Sequence, residues 1–280
     1  MRFVIPSFAK LNLSLRVIGR RENGYHDIVS LFLRIPSAES LSITSAERRD
    51  EACSRGIEIE GENLVVRALR CAREAVGSVP FQNVEIAKSL YPGSGLGAGS
   101  GNAAAMLRWL AGAGESLKWR NAALKTGADV PFLFSGYPLA LVSGVGEVLE
   151  PLPPLALHAW IVFPDWSVGT ENAYGELDRQ CMGLYPIDET SARGEAETIC
   201  RILRNKECTG LLPNDFAPGL MEKFPNYDKL FQLFKDEGSC AWGITGSGGA
   251  AFALFHEYSR PAILSWPSWV RQVLSVSVGH

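Results

Sequence analysis

The sequence is poor in the features that staple, charge or anchor a chain. Its six cysteines, Cys53, Cys71, Cys181, Cys200, Cys208 and Cys240, contain no C-x-x-C pair, and 280 residues are too many to depend on disulfide staples. Reduced thiols in the cytoplasm are expected, and no protein metal site. Neither sign of charge is in clear excess: 27 Lys plus Arg against 30 Asp plus Glu leave a net charge of -3. Phosphate-rich polymers need a basic field, so a nucleic-acid partner is set aside. No segment reads as a membrane span. The charge-free run Val130 to Gly146 carries two Pro, three Gly and two Ser, which would satisfy their backbone poorly in lipid. At the start, Met1-Arg2-Phe3-Val4-Ile5-Pro6 meets Lys10 before an apolar run of signal-peptide length can form. With 46% hydrophobic residues the chain can bury a sizeable core, as one large domain or two of roughly 100 to 150 residues.

What is present reads as an α+β chain. In Phe8 to Ile18, residues Leu11, Leu13, Leu15 and Val17 fall on one face of a strand, with Lys10, Asn12, Ser14 and Arg16 on the other. Arg21-Glu22-Asn23-Gly24 then supplies a hairpin turn before a strand over Ile28 to Ile35. Further strands are expected at Ser40 to Thr44, Gly56 to Glu60 and Val84 to Ala87. The spacing of Leu64, Ala68, Leu69, Ala72 and Val76 predicts a helix over Glu62 to Val76 with Gly77 as its cap. Helices over Asn102 to Ala111 and Ser116 to Thr126 follow, then strand and turn over Tyr137 to Leu149. Pro151, Pro153 and Pro154 mark a domain boundary, giving domains over 1–152 and 153–280. The second opens with a strand over His158 to Phe163. It ends with strands over Ala241 to Thr245 and Ala250 to Phe255, a helix, and a strand over Gln272 to Val278.

The strongest local signal is Pro92 to Gly101, where five of ten residues are Gly: Gly93, Gly95, Gly97, Gly99 and Gly101 alternate with Ser94, Leu96, Ala98 and Ser100, and Asn102 follows. Glycines let backbone N–H groups surround an anion, and a helix amino terminus adds unpaired donors. Ser100 is placed to cap that helix. No Lys follows as in a Walker A loop, and no acidic residue is spaced for a dinucleotide site. The loop alone fits a phosphate cradle and a tight strand-to-helix turn equally well. A second cluster, Gly243 to Gly249 with Gly246 and Ser247 at its centre, reads either as a hairpin turn or as another anion-compatible loop. Asp129, in Gly127-Ala128-Asp129-Val130-Pro131, has the alternatives of a helix cap or a general base. Lys10 is either a solvated strand lysine or that acid's partner.

Taken in order, these segments resemble a known family. Ala9-Lys10-Leu11-Asn12-Leu13 with Asn23-Gly24-Tyr25-His26, then Gly95 to Ala103, Gly127 to Pro131 and Thr245-Gly246-Ser247-Gly248 are similar to the 4-diphosphocytidyl-2-C-methyl-D-erythritol kinases. These belong to the superfamily of galactokinase, homoserine kinase and mevalonate kinase. The resemblance covers essentially the whole chain. It implies a two-domain GHMP-kinase-like fold, with a ribosomal-protein-like amino-terminal domain and a ferredoxin-like carboxy-terminal one. It implies transfer of the ATP γ-phosphate to the 2-hydroxyl of a cytidyl substrate in non-mevalonate isoprenoid precursor synthesis. Asp129 would then be the base and Lys10 its ionic partner. Asn12, Tyr25, His26, Thr170 and Tyr174 would hold the substrate. Asn63, Lys88, the residues Gly93 to Asn102, Gly246 and Ser247 would hold ATP, with Mg²⁺ arriving on the nucleotide. Trp166, near Thr170 and Tyr174, is a further candidate to line the substrate cleft.

The chain departs from that family at Gly101, where a second serine is usual, and runs short between Asp165 and Asn214. A reduced side-chain contribution to phosphate binding and trimmed substrate-side loops are the expectations. Two other functions fit the same fold: a kinase of another small alcohol, and a catalytically silent ligand-binding relative. Oligomeric state is not legible.

Overall fold

A computed structural model describes residues 1–59, 61–112, 114, 116–259 and 266–278. The chain forms two compact units that alternate along the sequence. One holds Met1–Lys10, Pro36–Pro92 and Gly97–Tyr137; the other holds Leu11–Ile35, Gly93–Leu96 and Pro138–His280. Two long strands, β1 (Phe3–Arg20) and β2 (His26–Ser45), contribute residues to both. The strands expected separately at Ile28 to Ile35 and Ser40 to Thr44 are thus one. Pro36 does not interrupt it, because its fixed φ suits an extended chain and only one ladder donor is missing.

In the first unit the later half of β2 pairs antiparallel with β4 (Gln82–Lys88), and β4 pairs parallel with β3 (Glu51–Gly56). The strand expected at Gly56 to Glu60 therefore lies earlier; its register with β4 runs from Glu51 opposite Asn83 to Gly56 opposite Lys88, where β4 itself ends. Glu60 falls outside the described residues. Along β4 buried and exposed positions alternate, so Val84, Ile86 and finally Lys88 all point inward. Four helices complete the unit: α1 (Leu64–Val76), α2 (Ala98–Ala111), α3 (Leu117–Thr126) and α4 (Val130–Ser135). Val65, Ala68, Leu69 and Ala72 give α1 its buried stripe, and α1 packs on α2 and α3. Helix α2 starts four residues before the expected Asn102. A Cβ on Gly101 would strike the Phe8 carbonyl, so the glycine admits the close approach of α2 to β1.

In the second unit the early half of β2 pairs with β5 (Leu139–Gly144), and β5 with β6 (Val148–Pro151). Pro151 thus ends a strand, and the break falls just after it. A five-stranded sheet has the order β11-β7-β10-β9-β8, built from β7 (Leu157–Pro164), β8 (Gly210–Leu211), β9 (Ala241–Thr245), β10 (Ala250–Phe255) and β11 (Val270–Val278). Both central strands, β7 and β10, are buried along their whole length, which explains their near-continuous apolar runs. The helices are α5 (Thr170–Cys181), α6 (Glu189–Arg204), α7 (Ala217–Lys223) and α8 (Asn226–Asp236). The helix expected ahead of β11 falls on a stretch containing residues 260–265, outside those described.

The later half of β1 is fixed to the segment before α7. Leu15 N–H donates to the Pro213 carbonyl and Asp215 N–H to the Leu15 carbonyl, each at 3.0 Å. Asp215 accepts from Arg16 at 2.6 Å and from the Val17 N–H at 2.8 Å, while Glu195 takes two further Arg16 bonds at 2.7 Å. Asp215→Ala removes a buried carboxylate and leaves the Val17 donor unmatched. It is expected to cost about 2 kcal/mol, read from the urea midpoint. Glu195→Ala, at the more exposed partner, should cost less.

Candidate active site

The first unit brings Lys10 and Asp129 together. Asp129 occupies the position before α4, yet its side chain makes no capping bond. Its Oδ2 lies 3.8 Å from Lys10 Nζ, with the lysine side chain 5% exposed and the carboxylate 30%. Burial lowers the Lys10 pKa, and Asp129 recovers part of the loss by favouring the ammonium. The pair sits against Gly97, which precedes α2 in the left-handed region at φ 63°. A Cβ there would lie 2.9 Å from Asp129 Oδ2 and 3.3 Å from Lys10 Cε. Because α2 begins at Ala98, Ser100 lies inside its first turn and does not cap it; the early N–H groups have no side-chain cap. An ammonium, a carboxylate and an uncapped helix start therefore converge.

Lys88, Asn102 and Asn63, also in this unit, have other partners. Lys88 Nζ is 2.5 Å from Glu39 Oε1, and both side chains are almost wholly buried. That carboxylate also accepts from the Ser89 and Leu90 N–H groups, at 3.2 and 2.9 Å, and from Asn102 Nδ2 at 2.8 Å. Glu39 thus ties the end of β4 to the first turns of α2. Asn63 caps α1, its side-chain oxygen accepting from the Val65 N–H at 2.9 Å.

In the second unit the loop Gly93 to Leu96 lies against the β9–β10 hairpin. A Cβ on Gly95 would strike the Thr245 carbonyl, and one on Gly246 would lie 2.8 Å from Gly95 Cα. Two asparagines clamp the hairpin. Asn12 Oδ1 accepts from the Gly246 N–H at 2.9 Å, and Asn214 Nδ2 donates to the Ile244 and Gly246 carbonyls at 2.9 Å. Asn12 Nδ2 donates to Ser30 Oγ at 2.9 Å. Ser247 Oγ meets Thr170 Oγ1, the first residue of α5, at 3.1 Å. The hairpin expected here is present, and its glycines serve a backbone-to-backbone contact.

Tyr25 and His26 lie at the β1–β2 turn, with Tyr25 60% exposed. The His26 ring stacks on Tyr174 of α5 at 4.4 Å between centroids and 27° between planes, and Phe216 meets Tyr174 edge-on. His26 Nε2 is 2.7 Å from Asp178 Oδ1, an atom that also accepts from the Tyr185 hydroxyl at 2.7 Å. Trp166 stacks on Phe224 and Trp269 and donates to the Tyr227 hydroxyl at 3.1 Å, which places it in an aromatic cluster away from Tyr174's ring contacts. Glu39, Asn214, Asp178 and Tyr185 escape sequence reasoning. Each is a polar residue without a local motif, given its partner by distant parts of the chain.

Comparison with known proteins bears on the whole chain. Residues 63–136 match the GHMP kinases N terminal domain and residues 190–267 the GHMP kinases C terminal model. A 4-diphosphocytidyl-2-C-methyl-D-erythritol kinase of Chlorobium luteolum is 31% identical over 262 residues, covering 90% of this chain and 88% of that protein. One from Porphyromonas gingivalis is 32% identical over 268 residues, covering 91% and 92%. A crystal structure of a 4-(cytidine 5'-diphospho)-2C-methyl-D-erythritol kinase superposes with a TM-score of 0.78 at 29% identity, over 100% of both chains.

Removing Glu39 strands the Lys88 ammonium and two backbone donors in the interior. Glu39→Ala should therefore destabilise the protein by about 3 kcal/mol or more. Glu39→Gln, which keeps an oxygen for the N–H groups, should cost less. Thermal and urea unfolding of the two variants check the order.

Proposed function

The chain belongs to the 4-diphosphocytidyl-2-C-methyl-D-erythritol kinases within the GHMP kinases, and from that premise we propose how its residues carry out the reaction. The activity is transfer of the γ-phosphoryl group of ATP to the 2-hydroxyl of 4-diphosphocytidyl-2-C-methyl-D-erythritol, in non-mevalonate isoprenoid precursor synthesis. The observation that carries the residue assignment is the meeting of Lys10 and Asp129 over Gly97. Phosphoryl transfer asks a protein mainly for in-line positioning and charge stabilisation. Asp129 takes the hydroxyl proton as the bond to phosphorus forms. Lys10 is the ionic partner of that carboxylate and offsets charge on the transferring group. A positioned base of this kind contributes roughly 10²- to 10⁴-fold.

ATP is bound through the backbone of Gly93 to Gly101 and through Gly246 and Ser247, and the uncapped start of α2 supplies N–H donors to phosphate oxygens. Gly97 leaves no room for a Cβ beside Asp129, so the donors at that helix start are backbone groups. Mg²⁺ comes with the nucleotide and neutralises phosphate charge. Asn63 and Lys88 act on the ATP side as braces, one capping α1 and the other holding Ser89 and Leu90 through Glu39, while Asn102 shares that carboxylate. Asn12 holds the Gly246 hairpin. Tyr25, Tyr174 and the edge of His26 take the cytosine ring, with Thr170 beside them. The family-model matches fall one on each side of position 152, which supports an ATP-binding part over 1–152 and a substrate-side part over 153–280. Among the described residues no helix is long and apolar enough to cross a membrane, and all six cysteines are free thiols; we place the reaction in the cytoplasm.

Asp129→Asn should lower kcat by at least about 100-fold while ATP binding, followed by calorimetry, is retained; unchanged turnover would discard the base assignment. A phosphate-transfer assay with ATP and Mg²⁺ across cytidyl-erythritol, mevalonate, homoserine and galactose acceptors should show turnover of the first alone. Preference for any other acceptor would overturn the substrate reading.

A further inference from the structure

We propose that Asp178, steadied by Tyr185, is a positioning residue that fixes the His26 tautomer and so makes the site prefer a cytosine over a uracil base. This rests on the cytidyl reading above and extends it to residues outside the substrate-binding set. The carboxylate of Asp178 lies on α5, one turn beyond Tyr174, and receives three groups. His26 Nε2 and the Tyr185 hydroxyl both reach Oδ1 at 2.7 Å, and Arg20 Nε is 3.5 Å from Oδ2. Burial pushes the Asp178 pKa up, but its bonds from Tyr185 and His26 and the charge of Arg20 outweigh this and leave it lowered. Burial, aided by Asp178, pushes the Tyr185 phenol up to about 12. At neutral pH the carboxylate is therefore an acceptor only, and the phenol is a donor.

The tautomer follows. An ionised oxygen at 2.7 Å from Nε2 requires the proton on Nε2, so in the neutral ring Nδ1 carries the lone pair. The ring cannot easily turn over to offer its other edge. It stacks on Tyr174, has Tyr185 edge-on at 6.3 Å and 82°, and its side chain is 9% exposed. Orientation of a working histidine through its far nitrogen is the device that second-layer carboxylates supply at metal sites. In the cytidyl reading the nitrogen so set is the one offered to the base.

A fixed acceptor separates the two pyrimidines. At the 4-position cytosine presents an amino group, a donor, whereas uracil and thymine present a carbonyl oxygen, an acceptor. Nδ1 pairs with the first and meets the second lone pair against lone pair. Sites that leave such polar groups mismatched discriminate strongly. Without Asp178 the ring is free to place its proton on Nδ1, and the distinction is lost.

The test compares the cytidyl substrate with its uridyl counterpart in wild-type enzyme, Asp178→Ala and Tyr185→Phe. Wild type should favour the cytidyl compound in kcat/KM by about tenfold or more. In Asp178→Ala that ratio should collapse through a raised KM for the cytidyl compound, with kcat and the KM for ATP little changed. Tyr185→Phe leaves the Asp178–His26 bond in place and should keep the preference. Should Asp178→Ala keep the full ratio, the proposal is overturned, whereas failure of wild type to use the cytidyl compound at all would instead sink the substrate reading. An assay independent of the variants is the ¹⁵N spectrum of the histidine rings. One of the four, assigned to His26, should carry its proton on Nε2 with Nδ1 bare; a proton on Nδ1, alone or with one on Nε2, overturns the proposal.

Discussion

Burying an ammonium is unfavourable unless a counter-charge is held within reach, and the first unit is arranged around one such case. Lys10 lies on a strand covered on both faces, where desolvation favours its neutral form. Asp129 opposes part of that loss from 3.8 Å, and its side chain makes no capping bond to α4. Pro131, at the second position of that helix, has no N–H to be capped, and a preset φ fits it for a first turn. The acid makes no capping bond to the N–H groups that follow, and its oxygen is left beside Gly97.

The glycines in both loops have the complementary task of leaving room. At Gly95 and Gly246 the two backbones of the second unit touch, and at Gly101 a helix rests directly on a strand. A side chain at any of these positions would meet backbone, so what the loops offer is main chain, chiefly the N–H groups at the start of α2 that no side chain caps. Such a surface suits an anion with many oxygens and carries little information about the rest of the ligand. Selectivity has to come from side chains elsewhere, and the His26, Tyr174, Asp178 and Tyr185 group in the second unit has the polar and aromatic content to supply it.

Much of this was legible in the sequence where local pattern decides structure. The 3.6-residue spacing gave α1 to within two residues, the Asn-Gly turn gave the hairpin at its place, and the apolar runs gave β7, β9 and β10. Long-range pairing decided the rest. Strand β3 took its position from its register with β4, and β2 ran through Pro36 because both its halves have partners. Helix α2 began at Ala98, directly after Gly97 in the left-handed region, and not at Asn102 behind a Ser100 cap. In the site, the residues in named motifs were found and those that hold them were not. Lys88 shows why: its period-two place on β4 buries it beside Glu39, a contact 49 positions away in sequence that no local pattern announces.

The contact at Gly101 carries a consequence for how such chains diverge. Any side chain at that position meets the Phe8 carbonyl, and Phe8 is two residues from Lys10 on the same strand. A serine there requires β1 to move away from α2, and that movement would be transmitted along the strand to the ammonium. Position 101 and the segment Ser7 to Lys10 are therefore bound to change in concert. A lineage crossing from glycine to serine would pass through compensating replacements in the strand, so the acceptability of the hydroxyl is a property of its background and not of the loop alone.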